Sequence, residues 1–260
     1  AILSAMINTL SAHDAGVTDI RDDADMERAA AVLISKVRTI AAAAYKASIG
    51  EPLVYPRYDL KYAENFLHMM FSVPYRQYEA TPEVAAALNL FLMLHADHEQ
   101  NCSTSTVRMV GSSKANLFAS CAAGVCALWG PLHGGANVAA VQMLQQIHDS
   151  GMPVDEFVRK VKNKDDGVKL MGFGHRVYRN GDSRVPTMKA ALDRVVEARG
   201  GRKWLDIYHV LEREMFVATG IKPNLDFPTG PAYYLMGFDI PVFTPLFVRL
   251  LASPMCAYSA

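Results

Sequence analysis

Apolar residues recur every three or four positions along most of the chain, which is the spacing of amphipathic helices. The segment AAAVLISKVRTIAAAAYKASIG predicts a helix that closes at Gly50. A second helix is predicted from Leu60 to Ser72, and Thr81 followed by Pro82 marks the start of a third. Further helical segments follow up to FTPLFVRLLAS, and no run of alternating β-branched residues is long enough to build a sheet. The pattern therefore predicts an all-α protein.

Composition narrows the function classes. The chain has 260 residues, enough for one large domain or two modest ones, and its 26 Lys and Arg balance 26 Asp and Glu. This balance argues against nucleic-acid binding, and no apolar run is long enough to span a membrane. No signal peptide is evident, and the four cysteines, Cys102, Cys121, Cys126 and Cys256, form no CxxC pair. We expect a reduced, cytoplasmic compartment.

The stretch GPLHGGAN places His133 in a glycine-rich turn before a helical segment. Gly134 and Gly135 lack a Cβ, so a ligand can approach the backbone closely. A helix start offers unpaired N–H groups and disfavours additional positive charge, so a histidine there can stay neutral and polarise an oxygen. The alternative is a turn in which the histidine only caps the helix.

HADHEQN places His95 and His98 three residues apart on one helical face. Such a pair could ligate a metal, form structural hydrogen bonds or bind a substrate. The motif lacks the HExxH spacing, and no second cluster supplies further ligands.

GFGHRVYRNGDSR sets His175 in a glycine turn beside Arg176, Arg179 and Arg184. Arginine can bind a carboxylate or phosphate through two parallel hydrogen bonds. Between residues 159 and 189 the chain carries nine basic residues against three acidic ones, which indicates either a polyanion site or a solvated helix face.

PNLDFPTG places Asp226 among turn-forming residues, ahead of the helical segment PAYYLMGF. The carboxyl could form an Asx turn or a cap, or its apolar neighbours could raise its pKa and make it a usable base. The sequence thus combines histidines in glycine-rich turns, a cluster of arginines and a carboxyl in a tight turn. This combination suits proton abstraction beside a carbonyl group.

Taken in order, HADHEQN with STSTVR, GPLHGGAN, MGFGHRVYRNGDSR and PNLDF resemble the citrate synthase family over residues 1 to 248. Residues 31 to 147 are similar to bacterial citrate synthases, and the later stretch is similar to 2-methylcitrate synthases. The resemblance implies a two-domain, all-α fold with the active site in the cleft between the domains. It implies a Claisen condensation of acetyl-CoA with oxaloacetate, followed by thioester hydrolysis to citrate and CoA.

The resemblance also implies a role for each motif residue. Asp226 would take a proton from the acyl methyl group, and His133 would hydrogen-bond the thioester oxygen. His175 would polarise the carbonyl of oxaloacetate and protonate it, while His98 and Arg184 would bind oxaloacetate. A further segment would lie along CoA: Val168, Lys169, Leu170, Met171, Gly172, Phe173 and Gly174.

The expected domains are a small one over residues 135–237 and a large one over residues 1–134 with 238–260. We expect self-association as a dimer or hexamer, because apolar helices such as ANLFASCAAGVCALWG could pack across a two-fold axis. The implied co-substrate is acetyl-CoA or propionyl-CoA, with no permanently bound cofactor, no metal, and no nucleic-acid or membrane partner.

The sequence departs from the family at its ends. It resembles a chain truncated on both sides, and a second arginine for oxaloacetate is expected where Leu251 stands. Arg249 lies two residues earlier, which is about 200° away around a helix. Three alternatives therefore stay open: a 2-methylcitrate synthase that uses propionyl-CoA, an inactive CoA-binding or oligomerising remnant, and a metal-dependent hydrolase built on His95 and His98.

Overall fold

A computed structural model of the chain describes residues 1–13, 20, 22–96, 100–165, 167–175 and 177–248. These residues form twelve α-helices and one turn of 3-10 helix, Ile240–Val242. Two isolated bridges, Val73 with Arg76 and Phe173 with Pro223, are the β pairing in the described part of the chain. The all-α prediction is confirmed.

The helices fall into two compact units, Ala1–Gly134 with the described residues from Thr244 on, and Gly135–Phe243. The first unit contains α1 (Ile2–His13), α2 (Asp23–Ser48), α3 (Tyr62–Phe71), α4 (Pro82–Leu94), α5 (Cys102–Gly111) and α6 (Leu117–Leu128). The second contains α7 (Ala136–Ser150), α8 (Val154–Asn163), α9 (Val185–Arg199), α10 (Arg202–Thr219) and α11 (Asp226–Leu235). The last helix, α12, is Phe243–Val248. The domain boundaries expected from the sequence stay a prediction.

In the first unit, α6 packs against both α1 and α5. A Cβ on Gly124 of α6 would lie 2.6 Å from Cγ2 of Val107 on α5, so a glycine is needed where these two helices approach each other. Phe66, Phe91 and Phe118, on α3, α4 and α6, are fully buried. The packing of α5 against α6 fixes the first turn of α5, whose Ser103 donates a backbone hydrogen bond to His133.

Helix boundaries follow the signals in the sequence. Oγ1 of Thr81 accepts a hydrogen bond from the backbone N–H of Val84, and Pro82 occupies the first turn of α4, as predicted. The helix predicted to close at Gly50 is α2, which ends at Ser48 with Ile49 as its C-cap. Gly50 follows in the left-handed region with a φ of +70°, a conformation that glycine adopts without strain.

In the second unit, α11 packs against α7 and α9, and α10 packs against α8. A Cβ on Gly230 would lie 2.8 Å from the carbonyl oxygen of Asn137, so this glycine lets α11 cross close to α7. Phe227, in the first turn of α11, stacks on Tyr208 and contacts Phe173, with ring centroids 4.3 and 4.5 Å away. This aromatic core fixes the start of α11, which carries Asp226.

None of the described helices combines the length and apolar character needed to cross a membrane.

Candidate active site

The turn that carries His133 needs glycine on its C-terminal side. A Cβ on Gly134 would lie 2.2 Å from the carbonyl oxygen of Leu128, and the backbone N–H of Gly134 donates to that oxygen at 3.0 Å. The backbone N–H of His133 donates to the carbonyl oxygen of Gly130. The turn is therefore closed by its own backbone, and this leaves the imidazole to meet other groups.

The imidazole of His133 is held by the N-terminus of α5. The backbone N–H of Ser103 donates to Nε2 of His133 at 3.2 Å, and Oγ of Ser103 lies 2.9 Å from the same nitrogen. An imidazole nitrogen that accepts an N–H bond carries no hydrogen, so the hydrogen of the neutral ring is on Nδ1. His133 is thus fixed as a neutral imidazole that donates through Nδ1.

The sequence predicted that the helix following GPLHGGAN would keep this histidine neutral. The structure places a different helix start against the ring, that of α5 in the segment STSTVR. Asn101 caps this helix by accepting the backbone N–H of Thr104 at 3.0 Å. An asparagine before a helical run was the available signal for the cap, but the contact with a histidine thirty residues later depends on tertiary structure.

His175 is held in the opposite tautomer in the second unit. Its Nδ1 accepts backbone N–H groups from Val177 at 3.1 Å and Tyr178 at 3.2 Å. The hydrogen of the neutral ring is therefore on Nε2. The ring of Tyr178 stacks on the imidazole with centroids 4.5 Å apart, which fixes the ring plane. A ligand oxygen that meets Nε2 would receive a hydrogen bond.

A cavity of about 270 Å³ opens beside His175 and is lined in part by Tyr178, Arg179, Asp182 and Lys222. Arg179 is exposed, and Lys222 donates from Nζ to the carbonyl oxygen of Asn180 at 3.0 Å. The cavity is small, and two basic side chains, Arg179 and Lys222, contribute to its lining, which suits an anionic ligand.

Arg184 is buried and paired with Asp182. Nε and Nη2 of Arg184 donate to the two carboxylate oxygens at 2.9 and 2.7 Å. Burial alone would raise the pKa of Asp182, but the hydrogen bonds from Arg184 outweigh burial and hold that pKa below its ordinary value. The guanidinium carbon of Arg184 also lies 5.5 Å from the centre of the Tyr178 ring. The ion pair with Asp182 and this ring contact together hold the guanidinium in place. The sequence singled out Arg184 and missed Asp182.

Asp226 is the first residue of α11. Its backbone N–H donates to Oδ1 of Asn224 at 3.0 Å, so the Asx turn anticipated here is formed by Asn224. Burial raises the pKa of the Asp226 carboxyl to about 6, the charge of Arg184 lowers it, and the charge of Asp182 raises it. A carboxyl with this pKa can serve as a base near neutral pH.

The segment predicted to lie along CoA, residues 168–174, is joined to the start of α11. Asn224 donates from its backbone N–H to the carbonyl oxygen of Gly172 and from Nδ2 to that of Gly174, both at 2.9 Å. Gly172 has a φ of +78°, and a Cβ there would lie 2.9 Å from Cβ of Phe227. The segment can therefore approach Asp226 only with a glycine at this position. Asn224 was not predicted as a site residue.

Several residues singled out in the sequence lie outside the described part of the chain: His98, Arg176, Arg249 and Leu251. His95 is buried at the end of α4, where its Nδ1 lies 2.7 Å from the carbonyl oxygen of Phe91. Among the described residues, no group of three or more His, Cys, Asp and Glu could hold a metal ion. This hydrogen bond to its own helix is of the structural kind that the sequence offered as one of three alternatives for His95.

Thus the second unit brings together His175, Arg184, Asp226 and the 168–174 segment, and the first unit holds His133 on the N-terminus of α5. Comparisons with known proteins match the chain to one family. The model of the citrate synthase C-terminal domain matches residues 1–253. Citrate synthase 1 of Mycobacterium tuberculosis is 50% identical over 252 residues, covering 95% of this chain and 58% of that protein.

Solved structures agree with the sequence match. The citrate synthase of Pyrobaculum aerophilum superposes with a TM-score of 0.84 at 33% identity, covering 99% of this chain and 67% of that one. The citrate synthase of the thermophilic archaeon Thermoplasma acidophilum, in a ternary complex with carboxymethyl coenzyme A and oxaloacetate, superposes with a TM-score of 0.82 at 29% identity, covering 99% and 68%. This chain spans 58% of the length of its curated relative. The chain belongs to the citrate synthase family.

Proposed function

We propose that this chain carries the catalytic groups of a citrate synthase, an acyltransferase that condenses acetyl-CoA with oxaloacetate and hydrolyses the thioester. The observation that carries the proposal is the pair of imidazoles in fixed, complementary tautomers. Backbone N–H groups bind Nε2 of His133 and Nδ1 of His175, so the hydrogen of each neutral ring lies on its other nitrogen. Two such donors suit the two carbonyl oxygens that gain charge in this condensation.

In the first step, the carboxylate of Asp226 takes a proton from the methyl group of acetyl-CoA. A carboxyl with a pKa of about 6 is far too weak a base to form a free enolate. The N–H at Nδ1 of His133 meets this demand by hydrogen-bonding the thioester oxygen as charge develops there. The two residues therefore act together, and neither suffices alone.

In the second step, the methylene carbon of the enol attacks the ketone carbon of oxaloacetate, and a carbon–carbon bond forms. The ketone oxygen takes the hydrogen from Nε2 of His175 and becomes the hydroxyl of citryl-CoA. Asp226 then releases to solvent the proton that it took from the methyl group, and Nε2 of His175 regains a hydrogen from solvent, so both groups return to their starting state. Water then cleaves the thioester, which gives citrate and the free thiol of CoA. Arg184 binds a carboxylate of oxaloacetate, and residues 168–174 lie along CoA.

Three observations support these binding roles. Arg184 has a buried, oriented guanidinium, a group that binds carboxylates through parallel hydrogen bonds. The 168–174 segment is joined by hydrogen bonds to Asn224, two residues before Asp226, and Gly172 and Gly174 in this segment adopt left-handed conformations. A structural relative was solved with oxaloacetate and a CoA analogue bound. His98 is the further oxaloacetate ligand that we propose from its motif.

We also propose that the chain self-associates through the first unit. Met6 on α1 and Met109 on α5 are 47% and 70% exposed, and Trp129 and Leu132, which follow α6, are 63% and 103% exposed. Large apolar side chains on neighbouring elements of one unit are typical of a protein interface. Light scattering coupled to size-exclusion chromatography distinguishes a monomer from a dimer or hexamer.

The function is tested by following the loss of thioester absorbance when the chain is mixed with acetyl-CoA, with and without oxaloacetate. Direct absorbance is preferable to a thiol reagent, because Cys102 and Cys126 are exposed and would react with it. We expect thioester loss that requires oxaloacetate. A parallel reaction with propionyl-CoA decides the acyl preference, and a faster rate with propionyl-CoA would favour 2-methylcitrate synthase.

The matched variants are Asp226→Asn and Asp206→Asn. We expect Asp226→Asn to lower the rate about 100- to 10,000-fold, the usual contribution of a general base. Asp206 is exposed on α10 in an ion pair with Arg202, and its replacement leaves the rate unchanged. A folded wild-type chain that consumes no thioester in the presence of oxaloacetate contradicts the proposal and favours a CoA-binding remnant.

A further inference from the structure

The side-chain amide of Asn224 bridges two backbone positions that are far apart in sequence. Its Nδ2 donates to the carbonyl oxygen of Gly174 at 2.9 Å, and its Oδ1 accepts the backbone N–H of Asp226 at 3.0 Å. The carbonyl of Gly174 belongs to the planar peptide group that leads into His175. One amide therefore binds the peptide groups at which His175 and Asp226 begin.

The peptide group between Gly174 and His175 needs this side-chain bond. The backbone N–H of Gly174 donates to the carbonyl oxygen of Lys222 at 2.9 Å, which fixes the N-terminal side of this glycine. Gly174 has a φ of +74°, and glycine restricts backbone rotation least, so that bond does not by itself orient the carbonyl on the other side. The bond from Nδ2 of Asn224 orients it.

The imidazole of His175 is fixed within its own turn. Its Nδ1 accepts backbone N–H groups from Val177 and Tyr178, and the Tyr178 ring stacks on it with centroids 4.5 Å apart. The imidazole and its turn therefore move together. The orientation of the peptide that enters the turn then determines where the imidazole lies in relation to Asp226.

The other end of the amide fixes the start of α11. The first N–H groups of a helix have no partner within the helix, and Oδ1 of Asn224 binds that of Asp226 in an Asx turn. The backbone N–H of Phe227 donates to the carbonyl oxygen of Asn224 at 3.2 Å. The backbone of Asp226 is thus held from both sides of Asn224, by its side chain and by its main chain.

We propose that Asn224 is a positioning residue that sets the separation between His175, the proton donor, and Asp226, the proton acceptor. The inference rests on the proposed function, which assigns those two roles. Asn224 touches neither substrate in this scheme and acts through the peptide groups of two residues that do. A misplacement of about 1 Å can cost about 100-fold in rate, so its loss is expected in kcat.

Two variants separate the two bonds of the amide. Asn224→Ser keeps an oxygen that can accept the N–H of Asp226 but is too short to reach Gly174, whereas Asn224→Ala removes both bonds. We expect Asn224→Ser to lower kcat about 10- to 100-fold with KM for both substrates within about threefold, and Asn224→Ala to lower kcat about tenfold further. The control is Asn163→Ser, at an exposed residue that ends α8, which leaves kcat unchanged.

An NMR measurement follows the Gly174 bond without turnover. In oxaloacetate labelled with ¹³C at the ketone carbon, a hydrogen bond to the ketone oxygen draws electron density from that carbon and moves its signal downfield. We expect the bound signal to lie downfield of the free one in the full wild-type chain, and to move back toward the free value in Asn224→Ser. An unchanged signal in Asn224→Ser at saturating oxaloacetate would overturn the proposal.

A double-mutant cycle shows whether Asn224 acts through His175. In a His175→Gln chain the proton donor is absent, so adding Asn224→Ser has little left to misplace. We expect its effect on kcat to shrink to less than about threefold in that background. An undiminished effect would mean that Asn224 acts by another route, and equal kcat values for Asn224→Ser and Asn224→Ala would contradict a role for the bond to Asp226.

A purely structural role predicts a different pattern. If Asn224→Ser lowers the melting temperature while kcat and the ketone signal stay at their wild-type values, the positioning role is wrong. Should Asn224→Ser fail to fold, Asn224→Asp keeps the shape of the side chain and the acceptor for Asp226 but lacks the donor to Gly174. We expect this variant to show the same movement of the ketone signal, and a wild-type signal would overturn the inference.

The ketone signal also separates this inference from the proposed function. A wild-type chain that binds oxaloacetate with a shifted signal but forms no citrate contradicts the proposed function, while the variants still decide the role of Asn224. A wild-type chain that binds oxaloacetate without a shift, or does not bind it, contradicts both.

Discussion

At the scale of single residues, the site depends on backbone donors that fix side-chain chemistry. His133 meets the N–H of Ser103 through Nε2, and His175 meets two N–H groups through Nδ1. Backbone donors cannot rotate away as hydroxyl groups can, so they select one tautomer of each ring more firmly than a side chain would. Each neutral ring therefore carries its hydrogen on the nitrogen that the backbone does not bind, and this is the hydrogen that the proposed mechanism uses.

Because a backbone N–H orients the ring of His133, we expect different results from replacing His133 and from replacing the side chain of Ser103. We expect His133→Gln to lower kcat about 100- to 1,000-fold, the usual cost of losing one donor to a developing oxyanion. Ser103→Ala removes the hydroxyl but keeps the N–H that binds Nε2, so we expect less than a tenfold loss. Steady-state kinetics at saturating substrates decide, and equal losses would show that the hydroxyl orients the ring.

The pKa of Asp226 predicts the acid limb of the pH profile. In the proposed mechanism the carboxylate is the active form, so kcat/KM for acetyl-CoA at saturating oxaloacetate is expected to fall about tenfold per pH unit below a pKa of about 6. The profile should flatten above that value. An acid limb near pH 4, the ordinary range for a carboxyl, would contradict the burial of this group as the cause of its behaviour.

The same pKa predicts an effect on stability that needs no substrate. Because burial raises the pKa of Asp226 in the folded chain, protonation favours folding, and this contribution is present below pH 4 and lost as pH rises through about 6. At pH 8 the ionised carboxyl therefore costs stability, up to about 3 kcal/mol for a pKa that burial raises to about 6. Asp226→Asn is expected to raise the free energy of urea unfolding at pH 8.

The control for that prediction is the pH itself. Near pH 4 the wild-type carboxyl is protonated in the folded chain, so the two proteins should then have nearly equal stability. A stabilisation that is the same at pH 4 and pH 8 would assign the effect to packing rather than to charge.

At the scale of elements, the sequence predicted the parts that depend on local rules. The helical spacing and the Thr81–Pro82 start of α4 could be predicted because helix periodicity and capping both depend on residues three or four positions apart. The role of Asn224, which joins the 168–174 segment to the start of α11, could not be predicted in this way. Its three bonds reach Gly172, Gly174 and Asp226, and the first two lie fifty residues away or more in sequence.

The 168–174 segment lies so close to α11 that we expect a methyl group added at residue 172 to have a large effect on stability and CoA binding. Gly172→Ala places a Cβ 2.9 Å from Phe227, whereas Gly167→Ala, at a similar φ of +81°, meets nothing within 4 Å. Both variants carry the cost of a left-handed alanine, and Gly172→Ala adds about 1–3 kcal/mol of overpacking. We expect only Gly172→Ala to weaken CoA binding markedly in calorimetric titrations.

Equal effects of the two substitutions would contradict the close approach of residue 172 to Phe227, because they share the backbone strain and differ only in that contact. Loss of stability without loss of CoA affinity would instead separate this segment from the CoA site.

At the scale of the whole molecule, the described chain consists of two compact units, and the residues of the proposed mechanism are divided between them. The first holds His133 against α5, and the second holds His175, Arg184 and Asp226 on one aromatic core. The family resemblance in the sequence supplied this set of residues, and local pattern alone could not have grouped side chains up to ninety-three positions apart, from His133 to Asp226. The sequence did not predict that Ser103, Asp182 and Asn224 would belong to the site. Each of them contacts a predicted site residue, and such contacts depend on the tertiary structure.

The central claim is that these groups form a carbon–carbon bond between an acyl methyl group and a ketone. The most direct test supplies the chain with oxaloacetate and acetyl-CoA labelled with a heavy isotope at the methyl carbon, and follows the label by NMR. The account predicts that the label appears in a methylene carbon of citrate, and that it does not when Asp226→Asn replaces the wild type. Label that stays in acetyl-CoA, or that appears only in free acetate, would contradict it.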